Sequence, residues 1–256
     1  MTFPNLKNKH AWDALVTPEE DIKYAKRRGR IPRIKMPKAI IFCFSSSLLK
    51  SIIKNHKVKK LNFGNSELYL LKETKNRVGV LSKFGFGGPS TILRMEELIA
   101  CGVKKFVLVG HAGSLQKHLK IGDVIVCDRA IRDEGTSHHY FKSGKYAYAS
   151  KLLTKDIENH LQKLGIKYAL GTTWTVDAPY RETVAEVKQY QKEGVSTVDM
   201  EAASVFAVAK YRGIEAGAIF TISDYLGELE WKLKFHLTRQ YLNMIFNIAK
   251  EVLSKN

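Results

Sequence analysis

The sequence predicts an α/β domain of three layers, αβα, around a central mixed, mostly parallel sheet. Three observations carry that expectation. Short apolar runs rich in Val, Ile and Phe alternate with longer segments of helical periodicity. Glycine turns follow several of those runs directly, as in GFGGPS (85–90) and GHAGS (110–114). The 256 residues and 45% hydrophobic content suffice for one large core. Strands alternating with helices bury both faces of a sheet under helices.

In chain order, TPEE (17–20) combines a capping Thr17, Pro18 at the first helical position and Glu20 placed to reach back, which predicts a helix to about Gly29. Residues 1–37 read as a basic arm carrying this short helix, and residues 38–256 as the main domain. KAIIFCF (38–44) is the first buried strand, and residues 61–82 read as hairpin-like. In the next segment Ile92, Met95, Leu98 and Ile99 share one helical face, Gly102 stops the helix, and KFVLVG (105–110) is a buried strand.

GDVIVCDRAI (122–131) and KYALGTTWTV (167–176) predict two more strands, separated by a helix capped near Thr154. Thr183 and Glu186 form a possible capping box. The apolar helix after VDME (198–201), the strand EAGAIFTISD (215–224) and an amphipathic helix over Leu229 to Ser254 complete the pattern.

Composition narrows the function classes. The longest apolar runs, such as Ala39 to Phe44, fall far short of the ~18 residues of a membrane span, and the start lacks the apolar core of a signal peptide, so a cytoplasmic protein is expected. Cys43, Cys101 and Cys127 are widely spaced in apolar surroundings and read as buried free thiols, with no zinc-ligand spacing. The net charge of +17 is concentrated at the start: residues 1–60 hold 15 Lys/Arg against 4 Asp/Glu. The run from Lys26 to Lys38 lacks interleaved aromatics, so a solvated or oligomer-contacting face is favoured over a nucleic-acid site.

Ligands in such sheets sit where strands end in glycine turns. GFGGPS, GHAGS, VDME and ISD are the candidates. Asp199 and Glu201 stand among Val195, Val198, Ala202, Ala203, Val205 and Phe206. A carboxylate there can serve the helix N-terminus, or it can accept two hydroxyl hydrogen bonds from a vicinal diol, with Met200 as an apolar contact. The residues alone leave both readings open.

VDMEAASVFAVAKYRG (198–213), followed by a strand ending ISD, resembles the purine nucleoside phosphorylase and uridine phosphorylase superfamily, whose usual form is V-E-M-E-A-A and then V-S-D. Residues 102–126 are similar to its G-x-x-G-x-L and G-D-V-V region, and the resemblance covers roughly residues 38 to 250. It implies cleavage of a nucleoside N-glycosidic bond through an oxocarbenium-like state, with phosphate as co-substrate, no cofactor and no metal. By position, Glu201 binds the ribose 2′- and 3′-hydroxyls, Met200 lines the sugar and Asp199 supports Glu201. Asp224 matches the acid that protonates a leaving purine at N7. Tyr180, Arg181, Ala112, Gly113 and Ser223 fall around the base. The resemblance also implies a homo-oligomer, a dimer or trimer of dimers.

The nucleophile site departs from the family. Where a G-D-P-x-R stretch is usual the chain has CFSSSLLK, a second phosphate-binding Arg is replaced by Leu108, and the usual Ser or Thr after the glycine is His111. Ser45, Ser46, Ser47, Gly87 and His111 remain to shape an anion pocket, with a neighbouring subunit as a source of charge. Water as nucleophile, or a catalytically inactive nucleoside or nucleic-acid binding protein, are the alternatives. His138 and His139 face either the ribose 5′ end or, as paired histidines in a polar loop, solvent.

Overall fold

The computed structural model describes residues 4–142 and 144–255, so the first three residues of the arm lie outside it. In chain order come α1 (Pro18–Arg27), β1 (Ala39–Cys43), α2 (Ser46–Asn55), β2 (Val58–Phe63), β3 (Ser66–Leu71), β4 (Val78–Ser82), α3 (Gly88–Ala100) and β5 (Lys105–Ser114). They are followed by β6 (Val124–Asp133), β7 (Tyr146–Tyr148), α4 (Lys151–Lys163), β8 (Ala169–Val176), α5 (Val184–Lys192), β9 (Thr197–Asp199), α6 (Ala202–Arg212), β10 (Glu215–Tyr225), β11 (Lys232–Leu233) and α7 (Arg239–Ser254).

Among the described residues the eleven strands form one mixed sheet. β1 lies parallel between β4 and β5, and β5 continues parallel into β10. β6, β8 and β9 are also joined in parallel, whereas β10 meets β6, and β9 meets β5, antiparallel. These pairings close β5, β10, β6, β8 and β9 into a ring. Strand–helix alternation announces the layers but carries no sign of this closure, because strand order is absent from hydrophobic period. On one face Leu48 and Ile52 of α2, Leu153, Ile157 and Leu161 of α4 and the apolar stripe of α7 share a core. The other face is covered by α3 and α6.

The basic arm is not detached from this body. Thr17 caps α1 by accepting from the Glu20 amide at 3.4 Å, and Ile22, Ala25, Ile31 and Met36 are buried in the same core as α3. Farther back, His10 Nε2 donates to the His138 carbonyl at 2.8 Å.

Two helix starts differ from expectation. α4 begins a turn earlier than Thr154, after Ser150, whose backbone carbonyl accepts from the Thr154 amide and whose hydroxyl accepts from the Ala216 amide of β10. Ser is as good a starting residue as Thr, and here it also ties the helix to the sheet. The terminal helix starts at Arg239 rather than Leu229. Residues before it carry Trp231, Leu233 and Phe235 at a period of two, and β11 pairs with the end of β10 through Asp224↔Leu233.

The capping box before α5 is present: Thr183 Oγ1 accepts from the Glu186 amide at 3.3 Å and Glu186 accepts from the Thr183 amide at 2.9 Å. Thr183→Ala is expected to cost about 1 kcal/mol, seen in thermal unfolding as a fall in Tm of roughly 2–4 °C for a chain of this size.

Candidate active site

A cavity of about 950 Å³ opens at the carboxyl ends of β1, β5 and β10. Phe44, Ser45 and Ser46 line it after β1, Gly110 to Gly113 within β5, Tyr180 and Glu182 after β8, Asp199 to Glu201 before α6, and Ser223 and Asp224 in β10. Trp231, Leu233 and Phe235 complete the wall from the segment before α7. Of the residues singled out from the sequence, Ser47, Gly87 and Arg181 do not line the cavity.

The two carboxyls before α6 have separate tasks. Asp199 Oδ1 accepts from the Thr175 and Thr173 hydroxyls at 2.7 and 3.3 Å, and Oδ2 accepts from the amides of Glu201 and Ala202 at 2.9 and 2.7 Å. Its oxygens are thus engaged with the protein, and the helix-terminus reading fits Asp199. Burial nevertheless pushes its pKa up, opposed by those donors. Glu201 is 8% exposed, and its Oε1 accepts from the Gly87 amide at 2.6 Å. Gly87 has φ 83°, a region that disfavours a side chain, so glycine suits the turn from which this amide reaches Glu201. Burial, then the nearby Asp199, raises the Glu201 pKa to about 8.

Asp224 sits at an irregularity in β10: Ile222 is opposite Ala112, but the next paired residue, opposite Gly113, is Asp224. Ser223 is the extra residue of a bulge, which re-aims side chains and brings two consecutive ones to the cavity. Ser223 Oγ donates to Asp224 Oδ1 at 2.6 Å, and Trp231 Nε1 donates to Oδ2 at 2.8 Å. A Cβ on Gly113 would lie 3.1 Å from Asp224 Oδ2 and 2.8 Å from Leu226 Cδ1, so this glycine makes room for the acid. Tyr180 is 87% exposed at the mouth, its ring edge-on to Trp231 with centroids 6.4 Å apart.

Glu182 was not anticipated. It is half-buried, and burial, with Asp224 and then Glu186 adding repulsion, raises its pKa to about 7. The available signal was its place directly before the capping Thr183, which holds the turn against the cavity.

The end formed by β1 and β5 is short of positive charge. Among the described residues no Lys or Arg lines the cavity, whereas Glu182, Asp199, Glu201 and Asp224 do. Ser45 caps α2, its hydroxyl accepting from the Leu48 amide at 3.3 Å and pairing with Ser47 Oγ at 2.9 Å. His111 Nε2 lies 2.7 Å from Thr238 Oγ1, with the Phe235 ring edge-on at 5.1 Å. Burial lowers the His111 pKa to about 4, so the ring is neutral at pH 7. His138 and His139 lie outside the cavity wall, in a short 3-10 turn where Lys9 Nζ and His139 Nδ1 are 2.5 Å apart. Cys43 and Cys127 are buried free thiols and Cys101 is partly buried. Among the described residues no helix is long and apolar enough to cross a membrane.

The family profile described as Phosphorylase superfamily matches residues 38–246. The uridine phosphorylase of Thermococcus kodakarensis is 32% identical over 154 residues, covering 54% of this chain and 54% of that protein. That of Haemophilus influenzae is 30% identical, covering 55% and 61%. The chain therefore spans little more than half the length of these two relatives. A DeoD-type purine nucleoside phosphorylase from Buchnera aphidicola is 28% identical over 208 residues, with 80% and 86% covered. Among solved structures, the uridine phosphorylase of Vibrio fischeri superposes with a TM-score of 0.72 at 26% identity, covering 86% of this chain and 91% of that one.

Proposed function

This chain belongs to the phosphorylase superfamily, and from that premise we propose that it is a nucleoside phosphorylase, a pentosyltransferase that breaks the N-glycosidic bond and passes the ribosyl group to phosphate without a cofactor. The observation that carries the reading is one cavity holding Glu201, buried and with one oxygen anchored, together with Asp224, aimed by two donors. Glu201 accepts the ribose hydroxyls, Met200 packs on the sugar, and Asp224 protonates the departing base. A base expelled as an anion is a poor leaving group, and such acid assistance contributes ~10²–10⁴-fold. A purine is the favoured base because N7 offers the acceptor that an acid at Asp224 serves.

Phosphate sits, in this proposal, at the start of α2, where free helix amides favour an anion. The described residues of the wall include no Lys or Arg, so in this proposal a basic residue of a neighbouring subunit completes the site in a homo-oligomer. Incubating the protein with purine nucleosides and phosphate and identifying the products by NMR tests the assignment. Free base and ribose 1-phosphate are expected; absence of base release from any purine or pyrimidine nucleoside would end this reading.

A further inference from the structure

Of the carboxyls in the described cavity wall, three are held by the protein itself. Both oxygens of Asp199 and both of Asp224 accept hydrogen bonds, and Glu201 accepts from the Gly87 amide. Glu182 differs: its carboxyl has no hydrogen-bond or ion-pair partner among the described residues. Glu186, one turn on, shows the contrast, taking the amide and the hydroxyl of Thr183 at 2.9 and 2.6 Å. A half-buried acid left without a donor is costly until a ligand supplies one.

The backbone on either side of Glu182 is fixed. In the 3-10 turn over Pro179–Arg181 the Arg181 amide donates to the Ala178 carbonyl at 2.8 Å and the Glu182 amide to the Pro179 carbonyl at 3.4 Å, and the capping box begins at the next residue. This stretch brings Glu182 to the Asp224 side of the cavity. Asp224, then Glu186, are the charged groups that bear on it, and neither Glu201 at the ribose end nor His111 at the nucleophile end is among them. With Asp224 facing N7 of a purine, the next group along that edge of the base is the substituent at C6. An ionised carboxylate only accepts hydrogen bonds, so it takes an amino group there and repels the lone pairs of a 6-oxo group.

We propose that Glu182 receives the 6-amino group of the base and so selects 6-aminopurine nucleosides over 6-oxopurine ones. The inference rests on the nucleoside-cleaving reading above, in which Asp224 meets N7. Glu182 touches the base far from the bond that breaks: it sets which base is held, and Asp224 sets how that base leaves. A 6-oxopurine would leave Glu182 desolvated and still without a donor, which is the form of discrimination that separates close analogues most strongly.

The test measures kcat/KM for adenosine and for inosine at saturating phosphate and about pH 8, where an acid raised to about 7 is mainly ionised. The wild type is expected to favour adenosine by about 10–10²-fold, the worth of one hydrogen bond to a charged group. In Glu182→Gln, whose amide offers a donor as well as an acceptor, that ratio is expected to fall by about tenfold or more, with inosine gaining. Glu182→Ala, which brings no new donor, should cost adenosine its lead as well. The ratio is taken within each variant, so a loss of folded protein cancels from it. A wild type that cleaves inosine as well as adenosine or better, or that cleaves neither while releasing the base of another nucleoside, overturns the inference and leaves the nucleoside-cleaving reading standing. So does a ratio that both substitutions leave unchanged. No base release from any nucleoside removes that reading and this inference with it.

Discussion

At pH 9, above the raised Glu201 pKa of about 8, replacing Glu201 with alanine is expected to lower kcat/KM for any nucleoside substrate by about 10²–10⁴-fold, the equivalent of two charge-assisted hydrogen bonds of about 1.5–3 kcal/mol each. The loss should be larger than for the neighbouring Asp199, whose oxygens are already taken by Thr173, Thr175 and the amides of Glu201 and Ala202. Steady-state kinetics checks this; near-normal turnover would remove Glu201 from the site. The same residue should betray itself in stability. Its folded pKa is raised to about 8 from an ordinary value of 4.5. Between those two values the folded chain holds more protons than the unfolded one, so stability falls as pH rises through that window. Glu201→Gln removes the term. Its Tm should exceed that of the wild type at pH 9, by a margin that shrinks toward pH 5. Saturating the wild type with a nucleoside whose hydroxyls donate to the carboxylate should partly close that gap at pH 9.

Asp224→Asn is expected to cost about 10²–10⁴-fold in kcat for purine nucleosides and much less for substrates with good leaving groups. The substitution is well suited to separate chemistry from folding. Trp231 Nε1 can only donate, so the Asn oxygen turns toward it, and the amide nitrogen faces Ser223 Oγ, which can accept. Both contacts therefore survive in the variant. Unfolding curves should overlay those of the wild type while purine turnover collapses. Equal losses for good and poor leaving groups would instead mean that Asp224 holds the base without protonating it.

Much of this could be read from the residues. The Val/Ile runs marked β1, β5, β6 and β10, and the capping pair Thr183 and Glu186 marked the start of α5, because both are local properties of the chain. Asp199 and Glu201 stood out as acids in an apolar segment, but their division of labour was hidden. It depends on Thr173 and Thr175, reached through the pairing of β8 with β9, and on Gly87, distant in sequence. Glu182 was passed over for a related reason. A glutamate in a polar turn looks solvated until the cavity and Asp224 are placed beside it. The Thr238 contact of His111 likewise joins β5 to the start of the last helix, across 127 residues of chain.

The extra residue in β10 bears on how such a site can be altered over generations. In an unbroken strand, neighbours face opposite ways, so an acid and the hydroxyl that steers it could not both reach the ligand from consecutive positions. Ser223 escapes that rule because it is an insertion: the pairings from Glu215 to Ile222 precede it, and Asp224 keeps its own place opposite Gly113. Losing one codon there would restore regular alternation and remove the steering hydroxyl while the upstream register stayed as it is. The aim of the acid is thus a detachable trait, one that descent can add or discard in a single deletion or duplication without renegotiating the sheet that carries it.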